Sequence, residues 1–305
     1  MPPYPHLVDL VRARIGALIF ASVAGEDGDA TRDRIHLSPG PRWFPEDAPI
    51  CRVHADAAMF VGGIRALLLQ SLHPLAMAGV DQHSGFRGDP WGRLQRTSEF
   101  LATTTFGTAA DAERAVARVR GVHRRVRGVT ADGTPYSASD PHLLRWVHAA
   151  EADSFLAAYR RYGSGQLDQA DRDTYVAQTA DVAEALGAVG SPRTERELRE
   201  QLDDFRAELR GTPEARAAAR FILFSAPVPA AVRPAYGGLA AAGVGLMPWW
   251  SRWPLRLPYL PIAEATVVRA AGQAVTSGIR WATTAPPDQL ESREHDLPGD
   301  EPVPA

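Results

Sequence analysis

Apolar residues recur at three- and four-residue intervals along most of this chain, and alternating patterns closed by hairpin turns are hard to find. The sequence therefore predicts an all-α fold. Ala57 to Ala78 is apolar almost all the way round, through Phe60, Val61, Ile64, Leu68 and Leu72. A helix without a polar face belongs in the middle of a domain. Pro74 lacks a backbone donor and should kink or end it. After a polar loop, a second helix is expected to start near Trp91. A third is expected with Asp111 as its N-cap and Gly128 just past its end. A fourth opens on Ser139-Asp140-Pro141, a cap followed by proline at the first helical position, and runs to about Tyr162. Arg193 to Arg210 is densely charged around a narrow stripe of Leu198, Leu202, Phe205 and Leu209, the pattern of a surface helix.

No repeat or linker divides the chain, so residues 1–285 read as a single large helical domain, followed by a Pro- and acid-rich tail, 286–305, expected to be disordered. The apolar stretches Ile15 to Val23 and Tyr236 to Trp250 fall short of the ~20 residues a membrane span needs. Trp249, Trp250 and Trp253 beside Arg252 could dip into a membrane interface, but a core cluster is the commoner use of such residues. With no basic leader at the N-terminus, the expectation is a cytoplasmic protein without a transmembrane segment.

Charge narrows the chemistry. The net charge of −3 gives no overall basic excess to attract nucleic acid or an anionic membrane. All 33 residues counted as Lys or Arg are arginines. A lysine Schiff base and a P-loop lysine are therefore excluded. One cysteine, Cys51, rules out an internal disulfide, a four-thiolate zinc site and an iron–sulfur cluster. There is no His-Glu-x-x-His, and Ser225 lies in no Gly-x-Ser-x-Gly elbow. A transition metal would have to rest on histidine and carboxylate or arrive within a cofactor.

Among the nine histidines, His123 stands out. It lies four residues after Val119 and three before Val126, on the apolar stripe of the third predicted helix, as a core histidine or a ligand would. On the second helix Arg93 and Thr97 are one turn apart and share a face, with Arg96 to the side. A guanidinium and a hydroxyl facing inward suit either a carboxylate such as a cofactor propionate or a protein carboxylate. His73, His83 and His148 read as structural, and Tyr136, Trp146 and Tyr159 as packing residues with a polar tip.

Taken in order, Leu67-Leu68-Leu69-Gln70, His73-Pro74, His83-Ser84, Asp89-Pro90, Gly92-Arg93-Leu94, Arg96-Thr97, Phe106-Gly107-Thr108, His123 with Gly128, Tyr136-Ser137-Ala138-Ser139-Asp140-Pro141 and Trp146-Val147-His148 form a distinctive series. It resembles the family of rubber oxygenase (latex-clearing protein) and MpaB-type oxygenase catalytic domains, most strongly from about Leu67 to Tyr162.

The resemblance implies an all-α protein with a globin-like core around haem b, with His123 as the ligand of the iron. It implies Arg93 and Thr97 at the cofactor, and Arg96 with Thr97 on the distal, catalytic side, where O₂ or peroxide would bind. The apolar helix from Ala57 to Ala78 would wall a hydrophobic pocket, suiting a small hydrophobic substrate: an isoprenoid, a polyketide or a lipid-like molecule. Two departures argue against rubber itself. Arg96 stands where rubber oxygenases can carry a distal lysine, and no glutamate lies between His54 and Gly92 to act as their pocket carboxylate. A non-catalytic helical binder of haem or an apolar ligand is the alternative, and a domain that has lost its cofactor a third.

Overall fold

The computed structural model describes residues 7–25, 27–83 and 88–284. The tail expected to be disordered lies outside them. Within them the chain is helical apart from one small hairpin. The elements are α1 (Leu7–Ala24), α2 (Gly28–Leu37), α3 (Pro49–His54), α4 (Met59–Gln70), α5 (Pro74–His83), α6 (Pro90–Phe106) and α7 (Ala109–His123). Strands β1 (Arg127–Val129) and β2 (Pro135–Ser137) come next, then α8 (Pro141–Tyr162), α9 (Gln169–Leu186), α10 (Glu195–Phe205) and α11 (Pro213–Arg220). Last are α12 (Arg233–Leu246), α13 (Trp249–Leu255), α14 (Pro261–Ala263) and α15 (Arg269–Thr283).

Pro74 ends one helix and begins another. The apolar run expected as one kinked helix is α4 and α5, bent by 106° at Ser71-Leu72-His73. The break suits the sequence, because Pro74 is tolerated in the first turn of α5, where its missing N–H would have been unpaired. Trp146 Nε1 donates to the Gln70 carbonyl at 3.3 Å, and Gln70 Nε2 donates to the Val147 carbonyl at 3.2 Å. These two bonds fasten the corner to α8.

Helices α4 and α8 form the centre. At their crossing Gly62 lies against Phe155 and Ser154. α12 packs on α4, and α1 and α15 pair with each other. A contiguous core runs from Phe44 through Val61, Leu68, Trp146, Phe155, Tyr175 and Leu198 to Leu255. The stripe Leu198, Leu202, Phe205 and Leu209 is buried in that core, although only its first three residues are on α10.

Three local expectations need correction. Thr108, not Asp111, caps α7: its hydroxyl accepts the Asp111 N–H at 3.2 Å and donates to the Asp111 carboxylate at 2.9 Å. The helix ends at His123, and Gly128 is in β1 opposite Tyr136, where a Cβ would stand 2.7 Å from the tyrosine oxygen. The tryptophan cluster divides, with Trp250 packed against the core and Trp249 and Trp253 exposed. No single helix among the described residues is long and apolar enough to cross a membrane; two bent helix pairs pass by length and composition alone.

Candidate functional site

The Asp-Pro at residues 89 and 90 starts α6 abruptly. The Asp89 carboxylate accepts the Gly92 N–H at 2.9 Å, and Pro90 occupies the first turn. Arg93, Arg96 and Thr97 therefore sit in the first two turns of this helix. At its other end the chain turns through Gly107, whose Cβ position lies 2.6 Å from the Thr103 carbonyl oxygen, too close for any side chain. Thr108 then starts α7, which packs on α6. Arg93 and His123 are equally far along the chain from Thr108, one on each arm of this helical hairpin.

His123, the last residue of α7, is half-buried. Its Nδ1 is shut off from solvent with no hydrogen-bond partner, and burial holds its pKa below the ordinary histidine range. The side chain is thus a neutral imidazole near pH 7, the form that ligates metals. Arg93 is half-buried too. Burial first, and the nearby Arg96 second, lower its pKa.

The other two predicted residues are turned to different uses. Arg96 is exposed and donates to the Asp89 carboxylate at 3.2 Å. Thr97 is also exposed, and its hydroxyl donates to the Arg93 carbonyl at 3.0 Å, within its own helix. The β1–β2 hairpin closes this end of the molecule against α5, where buried Tyr136 donates to Gln82 Oε1 at 2.7 Å and the ring of His83 lies 6.2 Å from that of Tyr136.

A second cluster carries little sequence signal because its members are far apart in the chain. His73 at the α4–α5 corner, His142 in the first turn of α8 and Glu208 beyond α10 bring three side-chain ligand atoms within 4.8 Å of one another. His142 Nε2 is 2.9 Å from both Glu208 oxygens, and His73 Nε2 is 3.3 Å from Oε2. Arg145 Nη2 points at His142 Nδ1 from 3.3 Å. Arginine only donates, so Nδ1 accepts and Nε2 carries the proton toward Glu208. The spacing of the three ligand atoms is also one that could hold a metal ion. The carboxylate opens onto a cleft of about 370 Å³ lined also by Arg145, Ser191, Gln201 and Phe205.

The interior holds a third polar group. His54 accepts or shares a proton with the Thr105 hydroxyl at 2.8 Å through Nδ1, while its Nε2 is buried without a partner. His148 Nε2 and the Tyr175 hydroxyl are likewise buried and unpartnered. Burial pushes His54 down to about 3, His148 down to about 4 and Glu151 up to about 7.

The all-α frame is the fold class that the resemblance seen in the sequence implies. The comparison with protein families agrees: residues 51–277 match the family described as ER-bound oxygenase mpaB/B'/Rubber oxygenase, catalytic domain, and the chain belongs to that family. Neither a curated protein nor a solved structure matches the chain. The family makes this an oxygenase-like catalytic domain, with a small molecule as the kind of substrate such a domain takes.

Haem b is the cofactor against which the residues can be tested. His123 fits, because its imidazole is neutral and its orphaned Nδ1 makes no bond that ligation would break. Arg93 fits as a desolvated cation for a propionate.

Proposed function

We propose that this chain is a haem b-dependent oxygenase acting on a small hydrophobic substrate, isoprenoid, polyketide or lipid-like, with O₂ or peroxide. The observation that carries the reading is the neutral, half-buried His123 with its unpartnered Nδ1, on a hairpin whose other arm holds a desolvated arginine. His123 would hold the iron and Arg93 a propionate. The bound haem would supply the oxygen chemistry, and the protein sets its ligand, its polarity and access to it. Thr97 acts through Arg93: its bond to the Arg93 carbonyl fixes the turn from which the guanidinium extends. Arg96 would line the distal side on leaving Asp89. It cannot replace a lysine as a distal ligand, since a guanidinium stays protonated.

The pairing of Arg96 with Asp89 at the surface favours one second reading, a haem or apolar-ligand binder without turnover. Product analysis with O₂ or peroxide and a panel of terpenoids separates the two.

The direct test is the absorption spectrum of the protein as purified and after reconstitution with haem. We expect a Soret band that His123→Ala abolishes or shifts to that of a site without an imidazole ligand. Arg93→Met should weaken haem retention while leaving the ligand signature in place. An unchanged spectrum and full haem content in His123→Ala would sink the assignment, and no Soret band in the parent after reconstitution would sink both haem readings.

A further inference from the structure

Two imidazoles and one carboxylate meet where three segments of the chain converge. His73 stands at the α4–α5 corner, and Asp140 fixes the start of α8 by accepting the His142 N–H at 2.8 Å. Glu208 is held beside them by the backbone. Its N–H donates to the Phe205 carbonyl at 2.9 Å, and the Arg210 N–H donates to the Leu72 carbonyl at 2.8 Å. Both histidines turn Nε2 toward the same carboxylate. His73 Nε2 stands 3.3 Å from Glu208 Oε2, longer than the ~2.7–3.2 Å of an ordinary N–H···O bond. Two donors each about 2.1 Å from a tetrahedral ion are about 3.4 Å apart, close to the separation of this pair. His142 Nε2, 2.9 Å from each Glu208 oxygen, would have to open by about 0.5 Å, which the exposed Glu208 side chain allows.

The surroundings are those of a site with an apolar floor and a polar mouth. His73 is 2% exposed, and its ring centroid lies 6.3 Å from those of Trp146 and Phe205. Phe205 also covers His142, with ring centroids 4.7 Å apart. The mouth is the cleft of about 370 Å³ onto which Glu208 opens. Ser191 Oγ and both polar side-chain atoms of Gln201, residues that line this cleft, are shut off from bulk solvent without a hydrogen-bond partner. Buried polar atoms left unpaired are costly, and several around one cleft mark the place of a ligand or its water. Glu197 and Asp204 add negative charge to the wall, while Glu200 is paired with Arg196 at 2.8 Å. The opposing group is Arg145, with Nη2 3.3 Å from His142 Nδ1.

We propose that His73 Nε2, His142 Nε2 and the Glu208 carboxylate bind a divalent cation of the zinc class, with the fourth position open to the cleft. Imidazole and carboxylate are donors that such ions take, and three protein ligands with one open position leave room for a water. Ser191 and Gln201 would bond that water. Glu208 offsets one of the two positive charges. Binding moves the His142 proton from Nε2 to Nδ1, so the Arg145 guanidinium must turn away. The bound ion would tie the α4–α5 corner, the start of α8 and the segment beyond α10 together. This site shares no residue with the haem reading and does not depend on it.

The test is calorimetric titration of the chelator-treated, untagged full chain with Zn²⁺, with thermal melting and metal analysis after dialysis. We expect one Zn²⁺ retained per chain, and a melting temperature that rises with Zn²⁺ and falls back with chelator. Glu208→Gln and His142→Asn, at positions open to solvent, should keep the parent's circular dichroism and lose tenfold or more in affinity. Arg145→Met removes the opposing cation and should bind Zn²⁺ several-fold more tightly. The Soret band of the same samples, unchanged by Glu208→Gln, keeps this test separate from the haem assignment. Three results would overturn the proposal: no Zn²⁺ retained by the parent, equal affinity in Glu208→Gln and His142→Asn, or weaker binding in Arg145→Met. Equal affinity in the first two variants would assign the bound Zn²⁺ to other histidines of the surface.

Discussion

At the scale of single residues, burial sets the protonation that the site depends on. Glu151 is the clearest case, its carboxyl pushed up to about 7 by desolvation from an ordinary 4.5. A carboxyl whose value is raised on folding contributes its full stability below the unfolded value. That contribution is lost as pH rises from about 4.5 through about 7. The loss is at most about 3 kcal/mol, from the size of the shift. Glu151→Gln keeps the shape and removes the titration. It should melt with the parent near pH 4.5 and above it, by about 2 kcal/mol, near pH 8. His54 and His148 titrate on the acid side, but in parent and variant alike, so the difference isolates Glu151. A gap that fails to open between those two pH values would contradict this account. The residue scale is also where sequence pattern reaches least far. Helical spacing put Arg93 and Thr97 on one face, but it could not show the Thr97 hydroxyl bonded to the backbone of its own turn. Nor could it join His73, His142 and Glu208, which the fold brings together from three elements.

At the scale of elements, backbone approach decides what the pattern of apolar residues leaves open. α4 carries adjacent glycines with opposite constraints. A Cβ on Gly62 would stand 2.6 Å from Phe155 Cδ1, 3.1 Å from Phe155 Cα and 3.2 Å from the Ser154 carbonyl oxygen, whereas one on Gly63 would meet nothing within 4 Å. Gly62→Ala must push α4 from α8 at the centre of the molecule, and it should cost about 2 kcal/mol or more. Gly63→Ala should stabilise by about 0.5–1 kcal/mol, since alanine loses less conformational freedom in a helix. Chemical denaturation of the two variants reads out this difference in sign, and equal effects would mean the helices do not meet as described. Long helices were legible: Asp140-Pro141 begins α8 and Tyr162 ends it as the sequence predicts. The α7 boundaries were not, because Thr108 and Asp111 cap jointly and either could be read as the cap. Three-residue strands are too short to show alternation, so β1 and β2 left no trace. Pro74 announced a kink, but only packing against α8 could set it at 106°.

Across the whole molecule, a chain without lysine ties distant segments together with buried guanidiniums. Arg65 joins α4 to Asp153 and Ser154 of α8 at 2.6 and 2.7 Å and to the last carbonyl of α12 at 3.0 Å. Arg280 on α15 reaches Asp56 between α3 and α4 with two bonds, at 2.9 and 3.2 Å, and also donates to the Tyr162 carbonyl at 2.8 Å. Composition revealed the arginines but not which of them go inside, because buried and exposed arginines look alike in sequence. The Asp56–Arg280 pair closes the last helix onto the first part of the core. Burial works against the Asp56 carboxylate, but the bonds from Arg280, Ala58 and Ser164 outweigh it and hold its pKa below the ordinary value. Arg280→Ala would leave that buried charge without its cation, which should cost about 3 kcal/mol near neutral pH. A depressed carboxyl contributes stability above its unfolded value of 3.8 and loses it as pH falls through the folded one. The deficit of Arg280→Ala should therefore shrink in acid, where Asp56 takes up a proton. Asp56→Asn should show a smaller deficit than Arg280→Ala at neutral pH. The double variant should fall short of the sum of the two by about 1 kcal/mol or more. Additive losses in urea, unchanged between neutral and acid pH, would mean that α15 is held by its apolar face alone.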